Sequence, residues 1–402
     1  MVGTMRQLPG QPAGVAGDGA AFLDAVRLLT PDIEAASAGI DRERRLPEPL
    51  VEALLEARLY RMLLPSACAG AELDPMSYLK VIEAVARLDG SLAWCLGQAC
   101  GSSMIAAYLA PEVARELFGP PRSVLAWGPG AGRAVAVQGG FRVTGRWSFA
   151  SGGHEATWLG GHCALIEGDG TPRLGPGGVP AIRTMLFPAK RAQWSDIWQV
   201  IGLRGTASDA YAVADLFVPE AHTVSREAFA ERRDQGALYG LTQIGLYATS
   251  FAGVALGIAR RMHEDFMALA REKPSFGLRT TLRDGAVVQS RVGHAEATLG
   301  AARSYLLGTL EEIWRTLGPG GQATLDQRMR IRLAATFAIH QAVAVADAAF
   351  HAAGATAIFA DNAFERRFRD IHTVAQQVQG RSEHFETVGQ HLLGLAADTA
   401  LV

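Results

Sequence analysis

The sequence predicts a mainly α-helical protein with a β-rich middle part, in the order helix, β, helix. Apolar residues recur every three or four positions near the start, short apolar runs broken by glycine and proline fill the middle, and long amphipathic stretches follow Pro219. With 402 residues, 49% of them hydrophobic, the chain can bury a large core. We predict a flexible tail over residues 1–20, a helical domain over 21–119, a β domain over 120–222 and a helical bundle over 223–402.

Four helices are predicted in the front part. The first contains Phe22, Val26 and Ile33 on one face, and Pro47 and Pro49 open the second, since proline suits a first helical turn. The second helix is predicted over Leu50–Leu59. The third starts after Asp74-Pro75 and runs over Tyr78–Leu88. The fourth runs over Leu92–Leu109, with Ser91 as its N-cap. The fourth is apolar nearly all round, which predicts that it is buried.

The middle part is predicted to be one antiparallel β unit. Its strands are Ser123–Trp127, Arg133–Gln138, Phe141–Thr144, Thr157–Ile166, Arg183–Pro188 and Tyr211–Val218, with a hairpin at Gly139-Gly140. The segment Gly128–Gly132 looks like a phosphate loop, but a dinucleotide site needs a helix directly after the loop, and here a strand follows. A tight turn lining a cavity is the better interpretation.

The back part is predicted to be an up-and-down helical bundle. Its long segments are Leu241–Leu269, Gly285–Leu317, Leu325–Ala353 and a last stretch from His384, with Gly318–Gly321 as a tight connector.

Composition argues against several classes of protein. The net charge of −2 and the pI near 6.6 favour neither nucleic-acid nor acidic-membrane binding. No apolar run reaches the ~20 residues of a membrane span. The four cysteines lack CxxC spacing, and Cys95 and Cys100 lie in an apolar helix, which fits buried thiols in a reducing cytoplasm. His162 and Cys163 would point to opposite faces of a strand, so no metal site is expected.

Three segments carry possible chemistry. Gly145–His154 places aromatic faces beside hydroxyl and backbone donors, as a planar redox cofactor requires, although an aromatic packing cluster explains this segment equally well. Ile201–Ser208 is rich in small residues that allow close backbone approach. Phe364–Thr373 precedes Gln376 and Gln377. Alone, each of the last two segments is better explained as a helix junction.

Together these segments resemble the acyl-CoA dehydrogenase superfamily over roughly Phe22 to Leu395. Trp147–Ser151 resembles its flavin strand, Ile201–Thr206 its "GLRGT" turn, and Arg369-Asp370 its "RD" pair. The resemblance implies a helical domain, a β-barrel or sandwich, a C-terminal four-helix bundle, and a flavin between the last two. The residues implied to bind it are Trp127, Trp147, Phe149, Ser151, Lys273, Phe276, Gln289, Gly354 and Gln376. In the family the pair Phe276 and Gln289 reaches a neighbouring subunit's flavin, which implies a homotetramer or at least a dimer.

A missing carboxylate shifts the expected chemistry. Dehydrogenation of an acyl thioester needs a carboxylate base, but Ala375–Gln379 contains no acid, and the family's other base position corresponds to Tyr247. The chain is closer to a branch of two-component flavin monooxygenases, in which a separate reductase supplies reduced flavin and oxygen adds at flavin C4a. That resemblance implies Ser151 as a catalytic donor. Several members of the branch carry a histidine where Gln376 or Gln377 stands here, and another in the fourth helix, which corresponds to Ser102.

The implied substrate is therefore a small aromatic or polycyclic compound that is hydroxylated through a flavin C4a-hydroperoxide with molecular oxygen. One that needs no base, such as an indole, fits best, because Gln377 cannot take a proton. FMN is favoured as the cofactor but FAD stays open, since Lys273 stands where relatives often carry a phosphate-binding arginine. Two alternatives stay open: a dehydrogenase or oxidase with a non-standard base, and a family member that binds a ligand without turnover.

Overall fold

A computed structural model describes residues 18–175, 178–225, 228–275, 277 and 279–402. Most of the predicted tail lies outside these residues. The front part contains the helices Gly19–Glu43 (α1), Glu48–Glu56 (α2), Pro75–Ala86 (α3), Gly90–Ser103 (α4) and Pro111–Phe118 (α5). The four predicted helices are confirmed, and α5 was missed.

The start of α4 corrects the predicted cap. Asp89, not Ser91, is the N-cap, and its carboxylate accepts a hydrogen bond of 2.9 Å from the Leu92 N–H. The helix begins two residues earlier than predicted and gives way to a 3₁₀ segment after Ser103. It is buried along almost its whole length, as predicted, and it carries Trp94 against Phe251 with ring centroids 3.9 Å apart.

The middle part is an eight-stranded mixed sheet. The strands are Leu125–Trp127 (β1), Gly130–Val137 (β2), Gly140–Trp147 (β3), Trp158–Ile166 (β4), Ile182–Pro188 (β5), Gln193–Ser195 (β6), Ala210–Pro219 (β7) and Thr223–Val224 (β8). Their order is β6-β7-β3-β2-β4-β5-β8, with β1 also beside β4. The predicted hairpin joins β2 to β3 at Gly139, whose φ of +79° suits glycine.

The prediction of a purely antiparallel unit is wrong. Both β1 and β2 pair with β4 in parallel, because the turn after β3 carries the chain back before β4 begins. Alternating residues indicate that a strand exists but not the direction of its neighbour. The very short strands β6 and β8 were also missed.

The back part contains the helices Gln243–Glu272 (α6), Ala286–Thr316 (α7), Leu325–Ala353 (α8), Ala363–Gln376 (α9) and Glu383–Leu392 (α10). The predicted long segments are confirmed, and the segment around Arg369-Asp370 forms its own helix, α9. The stretch Leu325–Ile358 is long and apolar enough to cross a membrane, but half of its most apolar part is buried inside the protein, and core helices of folded bundles pass the same test.

The cysteines and the acidic and histidine side chains complete the description of the fold. All four cysteines lie within the described residues and are free and buried, as expected for Cys95 and Cys100. Across the described ranges, no group of three or more His, Cys, Asp or Glu side chains could hold a metal ion. The predicted domain boundaries stay predictions.

Candidate active site

A cavity of about 380 Å³ lies between the β part, α4 and the chain that follows α9. All the lining side chains that the structure describes there are uncharged, and half of them are apolar or aromatic. The lining residues are Trp94, Pro129, Phe149, Ser151, Trp198, Leu203, Thr206, Ser208, Thr373, Gln376, Gln377 and Val378. The cavity therefore joins the three segments that the sequence singled out.

One wall is formed by Phe149, which follows β3. Its backbone has a φ of +59°, a strained conformation for a bulky residue, and its side chain is 54% exposed. Hydrogen bonds hold the turn on both sides: Ser148 N–H donates to the Pro129 carbonyl at 3.0 Å and Ala150 N–H to the Asp209 carbonyl at 3.1 Å. The Phe149 ring meets Trp198 edge to face at 5.9 Å. This leaves an aromatic face available for stacking.

The opposite side of the turn carries a buried row of hydroxyl groups. Ser151 Oγ accepts a hydrogen bond of 3.0 Å from Trp94 Nε1 and lies 2.7 Å from Ser208 Oγ. Ser208 Oγ lies 2.7 Å from Thr206 Oγ1, which donates to the Leu203 carbonyl at 2.8 Å. All three hydroxyl residues are buried and border the cavity.

The "GLRGT" turn is hydrogen-bonded to α9. Leu203 adopts a φ of +49°, and its N–H donates to Asp370 Oδ1 at 2.6 Å. Asp370 is fully buried, which raises the pKa of its carboxyl to about 6 although Arg366 and this N–H act to lower it. The Arg369-Asp370 pair thus fixes the floor of the cavity and does not line it.

Gln377 presents an unused donor. Its Oε1 accepts a hydrogen bond of 2.9 Å from Gln379 N–H, which fixes the side-chain amide. Its Nε2 is buried and lacks a hydrogen-bond partner among the described residues. A buried amide nitrogen without a partner costs free energy, so a ligand acceptor at this point would stabilise the site. Gln376 and Gln377 both border the cavity, as the resemblance implied.

These features suit an isoalloxazine ring. A flavin has flat apolar faces and an edge of ring nitrogens and carbonyls. Phe149 would hold a face, while Ser151 and Gln377 would meet polar atoms of the edge. The unpaired Nε2 of Gln377 and the uncharged aromatic lining therefore fit the cofactor. That these side chains contact a flavin stays a prediction.

Three predicted site residues lie elsewhere, and the structure corrects them. Trp147 is fully buried in the β core, stacked on Tyr211 at 5.3 Å, with its Nε1 donating to the His162 carbonyl at 3.1 Å. Neither face of its ring can receive a cofactor. Ser102 donates within the core, 2.6 Å from the Leu125 carbonyl, and joins α4 to β1 instead of facing the cavity. Trp127 is buried beside His162, outside the cavity lining.

Lys273 and Gly354 form a separate cluster. The Lys273 ammonium donates to the Ala353 carbonyl and to Thr356 Oγ1, each at 2.7 Å, and Gly354 lies beside it with a φ of +61°. Gln289 is exposed on α7 and donates to the Arg283 carbonyl at 3.0 Å. None of these three lines the cavity. Phe276 lies outside the described residues.

Sequence reasoning missed several cavity residues. Trp94 and Trp198 line it from elements that the motifs did not include, and Ser208 and Thr206 were noted only as small residues. Alternation along a strand could not reveal them, because all four reach the cavity through turns or through contacts between separate parts.

Two family models match the chain. The acyl-CoA dehydrogenase N-terminal domain matches residues 20–120, and the acyl-CoA dehydrogenase C-terminal domain matches residues 249–380. The first model covers the front helices. The second covers most of the helical bundle and includes Gln376 and Gln377 of the cavity.

Two relatives and one solved structure are similar to this chain over almost its whole length. An indole-3-acetate monooxygenase of Pseudomonas putida is 29% identical over 95% of this chain and 96% of its own length. The flavin-dependent monooxygenase oxygenase subunit HsaA of Mycobacterium tuberculosis is 25% identical, over 96% and 98%. The structure of XiaF from Streptomyces sp. in complex with FADH2 and glycerol superposes with a TM-score of 0.86, at 24% identity, over 94% of this chain and 96% of that one. The chain belongs to the acyl-CoA dehydrogenase superfamily and, within it, to the flavin-dependent monooxygenases.

Proposed function

We propose that this protein is the oxygenase component of a two-component monooxygenase that hydroxylates a small aromatic substrate. The observation that carries the proposal is the cavity itself, with a stacking face, buried hydroxyls, an unpartnered amide N–H and uncharged lining side chains among the residues described. Reduced flavin, delivered by a separate reductase, would supply the activation of molecular oxygen there. The protein's own part is to orient the ring, exclude water and withhold strong acids from it.

The uncharged lining also bears on the substrate. The resemblance implies a histidine where Gln376 or Gln377 stands here, and an amide cannot accept the proton of a phenol. An indole ring is electron-rich without deprotonation. We therefore propose a neutral indole-type heteroaromatic compound as the substrate class, and the similarity to an indole-3-acetate monooxygenase supports this choice.

A dehydrogenase with a non-standard base is less favoured. The carboxylate nearest in sequence to the turn at Phe149 is that of Glu155, and it does not line the cavity. Tyr247, at the family's other base position, packs against Phe251 with ring centroids 5.9 Å apart. Neither group is placed to remove a proton from a ligand in the cavity.

The finer properties are proposals as well. We propose FMN over FAD. The Lys273 ammonium already donates hydrogen bonds to the Ala353 carbonyl and to Thr356 Oγ1, so it has little capacity left to bind the second phosphate of FAD. We propose a cytoplasmic homotetramer, in which Gln289, remote from the chain's own cavity, would contact the flavin of a neighbouring subunit.

The decisive experiment supplies reduced flavin directly. Protein is mixed anaerobically with photoreduced FMN or FAD and indole, oxygen is added, and hydroxylated product and hydrogen peroxide are measured. We expect product in excess over peroxide with reduced flavin, and no product from NADH and oxidised flavin without a reductase. Reduction of bound oxidised flavin by an acyl thioester would instead establish a dehydrogenase. Failure to bind either redox form would leave only a ligand-binding role.

Phe149→Gly tests the stacking wall. Glycine accepts the positive φ without strain, so the folded protein should keep its stability, whereas loss of the aromatic face should weaken flavin binding by about tenfold or more. Fluorescence titration with FMN measures this, and Phe149→Trp, which retains a face, should bind within a few-fold of the wild type. An unchanged dissociation constant for Phe149→Gly would remove this residue from the site.

A further inference from the structure

The buried hydroxyl groups of Ser151, Ser208 and Thr206 form a continuous chain of hydrogen bonds. It starts at Trp94 Nε1, passes through the three hydroxyls in steps of 3.0, 2.7 and 2.7 Å, and ends on the Leu203 carbonyl at 2.8 Å. Ser208 and Thr206 are each 1% exposed, so bulk water does not compete for these bonds.

Each hydroxyl has a single proton, so the chain can point in either of two directions. In the inward direction Ser151 donates to Ser208, Ser208 to Thr206 and Thr206 to the Leu203 carbonyl. Ser151 then turns a lone pair toward the cavity. In the outward direction Thr206 donates to Ser208, Ser208 to Ser151, and Ser151 turns its proton toward the cavity. Trp94 donates to Ser151 in both.

The outward direction leaves no carbonyl unsatisfied. The Leu203 carbonyl also accepts hydrogen bonds from Trp198 Nε1 at 3.0 Å and from Thr206 N–H at 3.1 Å. When the Thr206 hydroxyl turns away, this oxygen keeps both N–H partners. The two directions therefore satisfy the same protein groups, and what occupies the cavity decides between them.

We propose that Ser208 and Thr206 are positioning residues that let Ser151 act as a donor or as an acceptor, according to the redox state of the flavin. This rests on the proposed function. The N5 atom of oxidised flavin accepts a hydrogen bond, and that of reduced flavin carries a proton and donates one. A serine with a fixed proton would suit one form only. This three-hydroxyl chain suits both, and no covalent bond changes when it reverses.

The chain reorients protons but does not conduct them. Its inner end is a backbone carbonyl, which has no proton to pass on. Ser151 can thus adjust its hydrogen bond, while the chain provides no path by which bulk water could protonate the ligand. This combination suits a site in which oxygen chemistry must stay coupled to the substrate.

Thr206→Val and Ser208→Ala test the proposal. In either variant Ser151 loses its inward direction, because accepting from the reduced ring would leave a buried hydroxyl proton without a partner. We expect the ratio of the dissociation constants for reduced and oxidised FMN, measured anaerobically, to rise by about tenfold. Thr206→Ser keeps the hydroxyl and should keep the wild-type ratio.

A second measurement uses the flavin-free protein. The sequence has seven tryptophans, and a Trp94→Phe variant assigns the Trp94 signal among their ¹⁵N-labelled indole resonances. Thr206→Val should shift that signal across three hydrogen bonds, and Thr206→Ser should restore it. An unshifted signal with an unchanged affinity ratio overturns the proposal, as does an equal effect of Thr206→Val and Thr206→Ser. A wild-type protein that binds neither redox form would instead refute the proposed function.

Discussion

Glu155 is a partly buried acid outside the cavity. It lies four residues after Ser151, on the turn that leads into β4. Although the side chain as a whole is only half-buried, Oε2 is buried and lacks a partner among the residues described. Desolvation raises the pKa of this carboxyl from 4.5 to about 6, despite its own backbone N–H and His154, which act to lower it.

This raised pKa predicts a pH dependence of stability. Between pH 4.5 and about 6 the folded state binds a proton more readily than the unfolded state, so stability falls as pH rises through this window. Above it, the charged form costs about 2 kcal/mol. Glu155→Gln should remove this fall, so that the free energy of unfolding in urea declines less between pH 4.5 and pH 7. The exposed Glu56→Gln serves as control, and identical pH slopes for wild type and Glu155→Gln would contradict the assignment.

Single residues also show what a sequence can reveal about a site. Phe149, Ser151 and Gln377 were predicted and border one cavity, whereas Trp147 was predicted in the same motif and lies in the core. The motif does not tell which aromatic residue is exposed, because that depends on the left-handed backbone at Phe149. Ser102 was chosen by counting along α4, and a helix that is apolar all round gives no sign of which side faces a cavity.

Among the secondary-structure elements, α6 packs unusually closely on α3. A side chain at Gly257 of α6 would collide with the Glu83 carbonyl and approach Ala86 Cβ within 2.6 Å. This contact holds the front helices against the bundle, and both partners are buried backbone or small side chains that cannot move aside easily.

Gly257→Ala should therefore destabilise the protein by about 1–3 kcal/mol through overpacking. Gly293→Ala offers a matched control on α7, where an added Cβ meets nothing within 4 Å of the described structure. That change should be stabilising by about 0.5–1 kcal/mol, because alanine loses less backbone entropy in a helix. Urea unfolding of both variants measures the difference, and equal effects would refute the close-packing argument.

Helices could be predicted from sequence far better than the sheet. The 3.6-residue period and the proline and glycine signals gave the bounds of α6, α7 and α8 to within a few residues. The parallel pairing of β2 with β4 joins strands that are not neighbours in sequence, and no local pattern encodes it.

In the whole molecule, the cavity is a junction of all three parts of the chain. Trp94 comes from the front helices, Phe149 and Leu203 from the β part, and Gln377 from the end of α9. A ligand that fills it contacts every part at once, so binding energy opposes their separation.

Saturating FMN should therefore raise the unfolding temperature and favour a single transition. At a hundredfold excess over its dissociation constant, a ligand stabilises the folded state by about 2.7 kcal/mol, which corresponds to a few degrees. Calorimetry with and without FMN measures this, and Phe149→Gly, which should bind FMN more weakly, should show a smaller shift at the same FMN concentration. An FMN-dependent shift confined to one of two resolved transitions would show that the parts unfold independently of the cavity.

The spread of the cavity along the sequence also orders events during biosynthesis. Trp94 leaves the ribosome long before Gln377 and Val378, since chains grow at about 5–20 residues per second. The pocket lacks a wall until the last helices have docked, and contacts between such distant segments form slowly. The cofactor consequently cannot guide the early stages of folding. It is acquired by a finished chain, which must tolerate an unfilled apolar cavity until then.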